Sequence, residues 1–368
     1  MKSALFLICL KVLKIISATA AAAAFLFCIL LAVITIMEYR PQQQEPALHG
    51  MQEGTHQSEA IDPTQPIDIL SWNIGYCALG APQSFFMDGG AMVRPQHKEA
   101  IEKNLRGIIQ TLKQNPAHFY FVQEIDQHSH RSYYINQLQA ISEALDIPFT
   151  YAYNYKAFFV PYPIPPLGKV SGGLGTFSRF VPAESVRIAL PVPFSWPVRT
   201  VNLKRCMLVS RFPLTSGKQL VTVNLHLEAY DDGAGKIAQT QALLNFIRAE
   251  YDAGNYVVAG GDFNQTFPGM LERYPLSSDL WSPGTLEAEI LPAGWQFAVD
   301  GAVPSCRLTN ASYEPALTNA EIRKNWPYYV IDGFILSPNI TVQSVKTLDE
   351  LFRYADHNPV KLRILLNP

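Results

Sequence analysis

The chain begins with a long apolar segment and then changes to short apolar runs that are separated by turn residues. The stretch from Ile15 to Met37 holds 23 residues without a charge. At about 1.5 Å per residue, a helix of that length spans about 35 Å, which exceeds the roughly 30 Å hydrocarbon core of a bilayer. The pattern therefore predicts one N-terminal transmembrane helix.

The charges that flank this segment predict its orientation. Three lysines precede it, Lys2, Lys11 and Lys14, whereas Glu38 and Arg40 cancel after it. By the positive-inside rule the N-terminus lies in the cytoplasm and the rest of the chain is extracytoplasmic. A cleaved secretory signal is the alternative, but the alanines from Ala20 to Ala24 precede the strongest apolar stretch and favour an uncleaved anchor in a single-pass membrane protein.

The composition changes again after the apolar segment. Residues from Gln42 to Pro66 are polar and contain Gln, Pro, Glu and Gly, which predicts a flexible linker with little structure. We expect an anchor over 1–40, this linker over 41–66, and one domain over 67–368, because no internal repeat or second linker follows.

The domain mixes strand-like and helical patterns. Pro95 opens a helix that places Ile101, Leu105, Ile108 and Leu112 on one face, and Tyr134 to Leu145 also has helical spacing. An amphipathic helix runs from Lys236 to Tyr251 into a strand at Tyr256, and its inner face holds Ala238, Ala242, Leu243, Phe246 and Ile247. The other strand candidates are Ile67 to Ile74, His118 to Ile125, Phe149 to Ala157, Val170 to Phe180, Ser185 to Leu190, Val201 to Ser210, Gln219 to Leu227, Tyr328 to Leu336, Ile340 to Leu348 and Val360 to Leu366. This pattern predicts a two-sheet α/β (α+β) core.

Two proline-rich loops interrupt the pattern, Val160 to Gly168 and Pro191 to Val198. They either line a substrate cleft or form ordered surface loops that are packed by their own prolines and aromatic rings. The aromatic residues in or beside these loops favour a lipid substrate, because such side chains can sit at a membrane interface; they are Phe158, Phe159, Phe194 and Trp196.

Polar residues recur where the predicted strands end. Asp262 and Asn264 follow two glycines at the end of a buried run, and their i, i+2 spacing points both side chains into one space. The others are Asn73, Glu124, His226, Asp332, Asp356 and His357. Singly, each favours a turn or a half-buried structural role; together, they favour one pocket, because neighbouring strand ends converge in a packed sheet.

This set suits metal-assisted attack on a phosphate ester. Oxygen ligands from Asn73, Glu124 and Asp356 suit Mg²⁺, with Mn²⁺ as the alternative metal. Asp262 can orient or deprotonate the attacking water, while Asn264 holds the phosphate or that carboxylate.

Three further residues complete the predicted set. His357 can bond the phosphoryl oxygens while Asp332 holds its imidazole in one tautomer. His226 is placed to protonate the leaving oxygen, so these three join Asp262 and Asn264 as catalytic candidates.

Charge and cysteine content limit the functions and the kinds of site that the sequence allows. Beyond Arg40 the chain has 25 Lys and Arg against 30 Asp and Glu, a net charge of −5, so no basic stripe for polyanions is indicated. Cys77, Cys206 and Cys306 allow at most one disulfide in the domain, and the absence of a CxxC pair argues against a zinc site.

Seven segments in this order resemble the motifs of the endonuclease/exonuclease/phosphatase superfamily, which includes deoxyribonucleases and neutral sphingomyelinases. They are LSWNIG, FVQEID, SGGLGTFSRF, VNLHLEA, GGDFN, YVIDGFILS and ADHNPV, and together they cover roughly Ile67 to Leu366. The resemblance implies a four-layered α/β sandwich of two mixed sheets flanked by helices, with the site at one end of the sheets.

The resemblance also implies roles for the candidate residues. Glu124 is then the main Mg²⁺ ligand, with Asn73 and Asp356 beside the metal, while Asp262 and Asn264 face the water and the phosphate. His226 and His357 form the acid/base pair, and either could be the general acid. His226 also distinguishes the chain from abasic-site endonucleases, which carry another residue type there.

We therefore expect a membrane-anchored, Mg²⁺-dependent phosphodiesterase that is sphingomyelinase-like or nuclease-like. Its expected partners are a lipid or nucleic-acid phosphodiester and the membrane itself, with no protein partner and a monomeric chain. The alternatives are a non-catalytic binding module on the same fold and an inositol-phosphate-type phosphatase, although the long basic signatures typical of the latter are missing.

Overall fold

Two seven-stranded sheets form the centre of the computed structural model, which describes residues 2–50, 60–313 and 326–367. The helices are α1 (Lys2–Ile36), α2 (Lys98–Gln114), α3 (Gln137–Leu145) and α4 (Ala234–Asp252). The strands are β1 (Gln44–Pro46), β2 (Leu48–Gly50), β3 (Ile67–Asn73), β4 (Phe119–Asp126), β5 (Phe149–Val160), β6 (Gly168–Ser178), β7 (Glu184–Ala189), β8 (Cys206–Pro213), β9 (Gln219–His226), β10 (Tyr256–Asp262), β11 (Gln265–Thr266), β12 (Gly284–Thr285), β13 (Gln296–Ala298), β14 (Cys306–Arg307), β15 (Tyr328–Tyr329), β16 (Asp332–Leu336), β17 (Ile340–Thr347) and β18 (Val360–Leu366).

Both sheets are mixed. Sheet one has the order β17-β18-β3-β4-β6-β5-β2, and sheet two has the order β1-β7-β8-β9-β10-β16-β13. The parallel pairs β3–β4 and β9–β10 lie at the centre of the two sheets, and their connections contain α2 and α4. Helices α2 and α3 pack on the outer face of sheet one and α4 on that of sheet two, so the four-layered sandwich is confirmed.

The apolar layer between the sheets explains why they pair. Phe119 and Phe121 of β4 meet Phe212 of β8 and Phe334 of β16 in one buried cluster. The rings of Phe119 and Phe212 are 4.9 Å apart in an edge-on arrangement. Complete burial of a phenylalanine side chain contributes about 1.5–3 kcal/mol, so this layer fixes the position of one sheet on the other.

Most predicted elements match the structure. The residues predicted to face the core from α2, namely Ile101, Leu105, Ile108 and Leu112, are all buried, and β18 has the predicted bounds. The predicted strand from Tyr328 to Leu336 divides into β15 and β16, and the one from Val201 begins only at Cys206 because a 3₁₀ turn occupies Val198–Val201.

The prediction of a flexible linker over 41–66 is wrong where the structure describes that segment. Strand β1 pairs with β7 at the edge of sheet two, and β2 pairs with β5 at the edge of sheet one. Ile61 is buried and forms a bridge with Leu214. Strand pairing uses backbone groups, so a polar segment can join a sheet edge; residues 51–59 of the predicted linker lie outside the described residues.

The N-terminal helix is long and apolar enough, from Phe6 to Ile36, to cross a membrane by length and composition. Its large apolar side chains are exposed in the isolated chain, and Ile15 and Phe25 are typical examples. Among the described residues little of this span is covered by other elements, and its length and composition are compatible with a bilayer.

Two glycines at the end of β10 allow the sheet to close around the site. A Cβ atom on Gly261, which has a φ of +146°, would lie 1.9 Å from the carbonyl oxygen of Leu225 on β9. A Cβ atom on Gly260 would lie 2.2 Å from the ring of Phe334. The close backbone approach that the two glycines predict is therefore present, and it precedes Asp262 directly.

Candidate active site

Three of the predicted catalytic residues lie side by side across sheet two. In the strand register, Asp262 at the end of β10 is opposite His226 of β9 on one side and Asp332 of β16 on the other. All three residues are buried. The sheet itself therefore brings together residues that are up to 106 positions apart in the sequence.

His357 lies in the loop before β18 and is bonded to the end of this row. Its Nδ1 donates to Asp332 Oδ2 at 2.7 Å, and the hydroxyl of Ser305 donates to the same oxygen at 2.7 Å. Burial alone lowers the pKa of His357, but the Asp332 carboxylate outweighs that effect and raises the pKa well above its usual value. The predicted role of Asp332 as the histidine's partner matches this contact.

Asp262 lies at the centre of the polar residues. Its Oδ1 accepts from the backbone N–H of Asn264 at 2.8 Å, and its Oδ2 accepts from Asn73 Nδ2 at 2.9 Å. The Nε2 atoms of His226 and His357 lie 3.4 and 3.7 Å from Oδ2. Burial, followed by repulsion from Asp332, raises the pKa of Asp262 to about 7. A carboxyl group with such a pKa can exchange protons near neutral pH.

Glu124 reaches the site through an irregularity in sheet one. The β4–β6 register shifts between Val122 and Ile125, and Glu124 has a φ of +51°. A bulge of this kind redirects a side chain, and an unusual backbone angle at a polar residue is typical of functional sites. Asn73 connects the two sheets here, because its Nδ2 also donates to Glu124 Oε1 at 3.3 Å.

The position of Asn73 differs from the predicted ligand role in one respect. Its Oδ1 accepts from the backbone N–H of Gly75 at 3.0 Å, so its amide nitrogen faces the carboxylates of Asp262 and Glu124. In this orientation Asn73 positions the carboxylates. Ligation of a metal through Oδ1 requires the side-chain amide to turn over.

Asp356 and Glu124 fit a divalent cation. Asp356 Oδ1 is buried and has no hydrogen-bond partner among the residues that the structure describes. Burial, opposed by the positive charge of His357 and assisted by the Glu124 carboxylate, raises the pKa of Asp356 to about 7. Two close carboxylates with an unsatisfied buried oxygen are stabilised by a cation between them.

A second group of potential ligand atoms lies beside the first. Single atoms of Asp262, Asp332 and His357 lie within 4.8 Å of one another and could hold a metal ion. In the present arrangement, however, the Asp332–His357 hydrogen bond already uses the histidine Nδ1. His357 Nε2 faces the Asp262 carboxylate, which favours a protonated imidazole that cannot ligate a metal.

His226 has a different environment from His357. Its Nδ1 is buried without a hydrogen-bond partner in the part of the chain that the structure describes, and it lies 4.0 Å from Glu124 Oε1. Burial, with smaller contributions from the positive charges of Arg205 and His357, lowers the pKa of His226 well below its usual value. His226 is therefore neutral near pH 7, whereas His357 is charged.

Asn264 is buried beside Asp262 but acts through its backbone. Its N–H holds the Asp262 carboxylate, while its side-chain Nδ2 donates to the carbonyl oxygen of Leu227 at 2.9 Å. Like Glu124, it has a positive φ, here +50°. The hydrogen bond from Nδ2 fixes the side-chain amide, so the side-chain oxygen of Asn264 has a defined position at the edge of the site.

These residues lie at one end of a cleft of about 540 Å³. Glu124, His226, Asp262, Asp356 and His357 form its polar floor. The rest of the lining is largely apolar and comes from loops and from β5; we call the following residues the apolar wall: Phe86, Tyr155, Val160, Tyr162, Leu167, Phe194, Val198, Val201 and Leu203. Both proline-rich loops contribute to this wall, which answers the question that the sequence left open.

Sequence reasoning missed several residues of the site. Ser305 was missed because no pattern marks a lone serine, although it holds Asp332. Arg205 and Glu228 line the cleft as a buried pair, with 3.6 Å between Nε and Oε2, and Arg205 also donates to the backbone oxygen of His226 at 3.3 Å. Glu228 could have been found, because it follows His226 by two positions on an extended segment.

The cysteines contribute no disulfide among the described residues. Cys77, Cys206 and Cys306 are buried and free, so the one disulfide that the sequence allowed is not formed. Cys306 lines the cleft beside His357, and burial raises the pKa of its thiol to about 12. It is therefore a neutral part of the lining near pH 7.

Comparisons with known proteins agree with this geometry. A family model described as the Endonuclease/Exonuclease/phosphatase family matches residues 70–357. An endonuclease/exonuclease/phosphatase from Beutenbergia cavernae DSM 12333 is 17% identical with a TM-score of 0.54, covering 82% of this chain and 72% of that one. The corresponding protein from Bacteroides vulgatus is 16% identical with a TM-score of 0.52, covering 82% of this chain and 100% of that one.

A family protein from Leptotrichia buccalis C-1013-b is 14% identical with a TM-score of 0.52, covering 81% of this chain and 99% of that one. At such identities these structures indicate the fold alone. A search of curated proteins found no match. Because the family model covers more than half of the 368 residues, the chain belongs to the endonuclease/exonuclease/phosphatase family.

Proposed function

We propose that the protein is a divalent-metal-dependent hydrolase of phosphodiesters, held at a membrane by α1. The observation that carries this proposal is the convergence of Glu124, Asp262 and His357 from both sheets at one cleft floor. Carboxylates, a charged imidazole and a neutral imidazole in one buried site are the groups that phosphoester hydrolysis requires.

Glu124 and Asp356 would hold the metal, which is Mg²⁺ or Mn²⁺ because both prefer oxygen ligands. The unsatisfied Oδ1 of Asp356 supports this assignment. When bound, the metal neutralises charge on the phosphate and so lowers the barrier by several kcal/mol. Asn73 orients Glu124 and Asp262 around it through its side-chain amide.

The proposed proton transfers follow from the protonation states of the buried groups. Asp262 accepts a proton from the attacking water, whose oxygen forms the new bond to phosphorus. His357 is the charged histidine, so it binds the phosphoryl oxygens and gives a proton to the leaving oxygen as the old P–O bond breaks. Asp262 can then return its proton to His357, whose Nε2 lies 3.7 Å away.

His226 has another role in this scheme. Because its pKa is lowered, it is a neutral imidazole that accepts or donates a hydrogen bond beside Asp262. Sequence reasoning assigned it the protonation of the leaving oxygen, and the charge states favour His357 for that task.

The proposed location follows from α1. The helix is long and apolar enough to span a bilayer, and the lysines before it favour a cytoplasmic N-terminus with an extracytoplasmic catalytic domain. The proposed partners are the membrane and a phosphodiester substrate, and the proposed state is a monomer.

The test uses the full chain in detergent with bis-p-nitrophenyl phosphate as a soluble substrate. We expect hydrolysis that EDTA abolishes and that added Mg²⁺ or Mn²⁺ restores. Asp262→Ala should lower kcat by about 10²–10⁴-fold, because it removes the general base. Asp252→Ala, which removes an exposed carboxylate at the end of α4, is the matched control and should leave kcat unchanged.

Activity that survives both EDTA and Asp262→Ala would contradict the proposal. The non-catalytic alternative predicts that no phosphodiester is cleaved, and a calorimetric titration without Mg²⁺ or Mn²⁺ binding would support it. The phosphatase alternative predicts release of inorganic phosphate from an inositol phosphate at a higher rate than cleavage of the diester.

A further inference from the structure

The end of the N-terminal helix contacts the segment that forms the apolar wall of the cleft. Trp196 Nε1 donates to the hydroxyl of Thr35, in the last turn of α1, at 3.1 Å. Two residues after the helix ends, Glu38 pairs with Arg199 at 3.0 Å and with Lys204 at 3.2 Å. The helix therefore ends against residues 196–204.

The Glu38 contacts are buried rather than superficial. The side chain of Glu38 is 2% exposed and that of Lys204 is 7% exposed. A carboxylate that is removed from water in this way needs all of its partners, so the ion pairs fix α1 to the domain. In addition, Tyr39 packs edge-on against Tyr153 of β5 with 6.0 Å between the ring centroids.

The same segment provides one side of the cleft. Phe194, Val198, Val201 and Leu203 line it, and they alternate with the residues that contact α1. One short stretch of chain therefore contributes to the apolar wall and also contacts the end of the proposed membrane helix. A bilayer around α1 would therefore lie close to these lining residues.

Three exposed apolar side chains, which we call the rim, belong to the two proline-rich loops that contribute to the cleft lining. Ile164 is 92% exposed, Tyr162 is 68% exposed and Trp196 is 55% exposed. The ring of Tyr162 lies 6.1 Å from that of Phe86, which also lines the cleft. Tryptophan and tyrosine are enriched at the membrane–water interface, because they combine an apolar body with a polar tip.

We propose that the substrate is a phospholipid taken directly from the bilayer that surrounds α1. Its phosphodiester reaches the polar floor, while its acyl chain lies along the apolar wall and remains continuous with the membrane. The rim residues Ile164, Tyr162 and Trp196 rest on the bilayer surface. This inference rests on the proposed phosphodiesterase function and specifies its substrate class.

Charge argues against nucleic acid as the substrate. The cleft contains three arginines. Arg131 and Arg205 are paired with Asp126 and Glu228 in buried contacts, and the guanidinium of Arg307 donates to the backbone oxygens of Leu79, Gly80 and Gln83. The chain beyond Arg40 carries a net charge of −5. Binding of a polyanion depends on unpaired basic side chains that displace counterions, and a largely apolar wall supplies none.

The experiment compares three substrates with the full chain, which is reconstituted into the vesicles for the lipid assay and kept in detergent for the other two assays. They are bis-p-nitrophenyl phosphate, mixed vesicles of phosphatidylcholine and sphingomyelin, and plasmid DNA. We expect hydrolysis of the soluble diester and of a vesicle lipid, with products identified by mass spectrometry, and at most traces of DNA cleavage.

The rim is tested by Ile164→Ser combined with Trp196→Ala. Because each exposed apolar side chain contributes to binding at the interface, the pair should lower kcat/KM on vesicles by about tenfold and leave bis-p-nitrophenyl phosphate hydrolysis unchanged. The matched control is Ile237→Ser, which removes a 70% exposed isoleucine from the outer side of α4.

Each result has a distinct meaning. If the unaltered chain did not hydrolyse bis-p-nitrophenyl phosphate, the phosphodiesterase function itself would be refuted. Hydrolysis of the soluble diester without hydrolysis of either lipid, or faster cleavage of DNA than of lipid, would overturn the lipid inference alone. Equal effects of the rim pair and of Ile237→Ser on vesicles would also overturn it.

Discussion

The floor and the wall of the cleft are built in different ways. The floor consists of strand ends whose register fixes Asp262 between His226 and Asp332, with Asn73 bonding across to the other sheet. The wall combines loops, a 3₁₀ turn and part of β5, and its segment between residues 196 and 204 is held by side-chain contacts with the end of α1 and with Glu38. In the proposed function, the sheets would determine the reaction, while the loops would determine which molecule reaches it.

The largest predicted loss of activity comes from a substitution in the floor. Asp332→Asn removes the charge that holds His357, so we expect kcat to fall about 100-fold on soluble and vesicle substrates alike. Because the Asp332 carboxylate raises the pKa of His357, its loss lowers that pKa, and the alkaline limb of the kcat/KM profile should move to lower pH.

The control for this variant is Asp300→Asn, since Asp300 lies outside the floor and accepts a backbone hydrogen bond from Thr347. A pH–rate profile of Asp332→Asn whose alkaline limb stays in place would show that Asp332 does not act through His357. Circular dichroism verifies that both variants fold.

A smaller and selective effect should come from the wall. Phe194→Ser removes a half-buried ring from the cleft lining, and we expect kcat/KM on vesicle lipid to fall about tenfold. Hydrolysis of methyl p-nitrophenyl phosphate, which has a single ring and no acyl chain, should fall by less than about threefold.

The matched control is Phe246→Ser, which removes a half-buried phenylalanine from α4 on the far side of sheet two. If Phe194→Ser reduced both reactions to the same extent, the wall would act on the phosphate rather than on the acyl chain. The comparison between floor and wall would then fail.

The smallest effect should come from the junction between the wall and α1. Glu38→Gln leaves the nearly buried Lys204 without its counter-charge and loosens the contact. We expect vesicle hydrolysis to fall about threefold, with the soluble reaction unchanged, because a misplaced wall affects only the lipid. Glu184→Gln, which breaks an exposed pair with Arg211, is the control and should change neither reaction.

The contacts of Glu38 at the junction between α1 and the wall should also weaken at acidic pH. Burial raises the pKa of Glu38, but hydrogen bonds from Arg199, Lys204 and Arg40 outweigh this and lower it below 4.5. The stabilisation by Glu38 is therefore complete above pH 4.5 and is lost as the pH falls through the lower, folded-state pKa. The fluorescence of Trp196, taken as the difference from Trp196→Phe, should change over that acidic range and stay constant above it.

The floor could be predicted from the sequence because it follows from strand periodicity. Apolar runs locate the strands, and polar residues at their ends must converge when two sheets pack. The bulge that redirects Glu124 could not be predicted, since it depends on the pairing of β4 with β6. Ser305 was missed for a similar reason, because its role arises only from contact with Asp332.

Helix α4 shows where periodicity fails. The predicted inner face includes Leu243 and Ile247, which are buried, but also Ala238, which is exposed. Lys236 and Gln239 are buried in its place, since they bond the backbone oxygens of Ala229 and Pro191 and so hold two loops of the cleft. A hydropathy pattern assigns such residues to the surface, so the loops that they hold cannot be placed from sequence.

Strands β1 and β2, in the short segment after α1, also cover the edges of the two sheets. One pairs with β7 at the margin of sheet two and the other with β5 at the margin of sheet one. A fragment that starts at Ile67 would leave both margins with open rows of amide and carbonyl groups, which invite association with other chains. A water-soluble version made for crystallisation should therefore start ahead of Gln44, so that each sheet keeps its outermost strand.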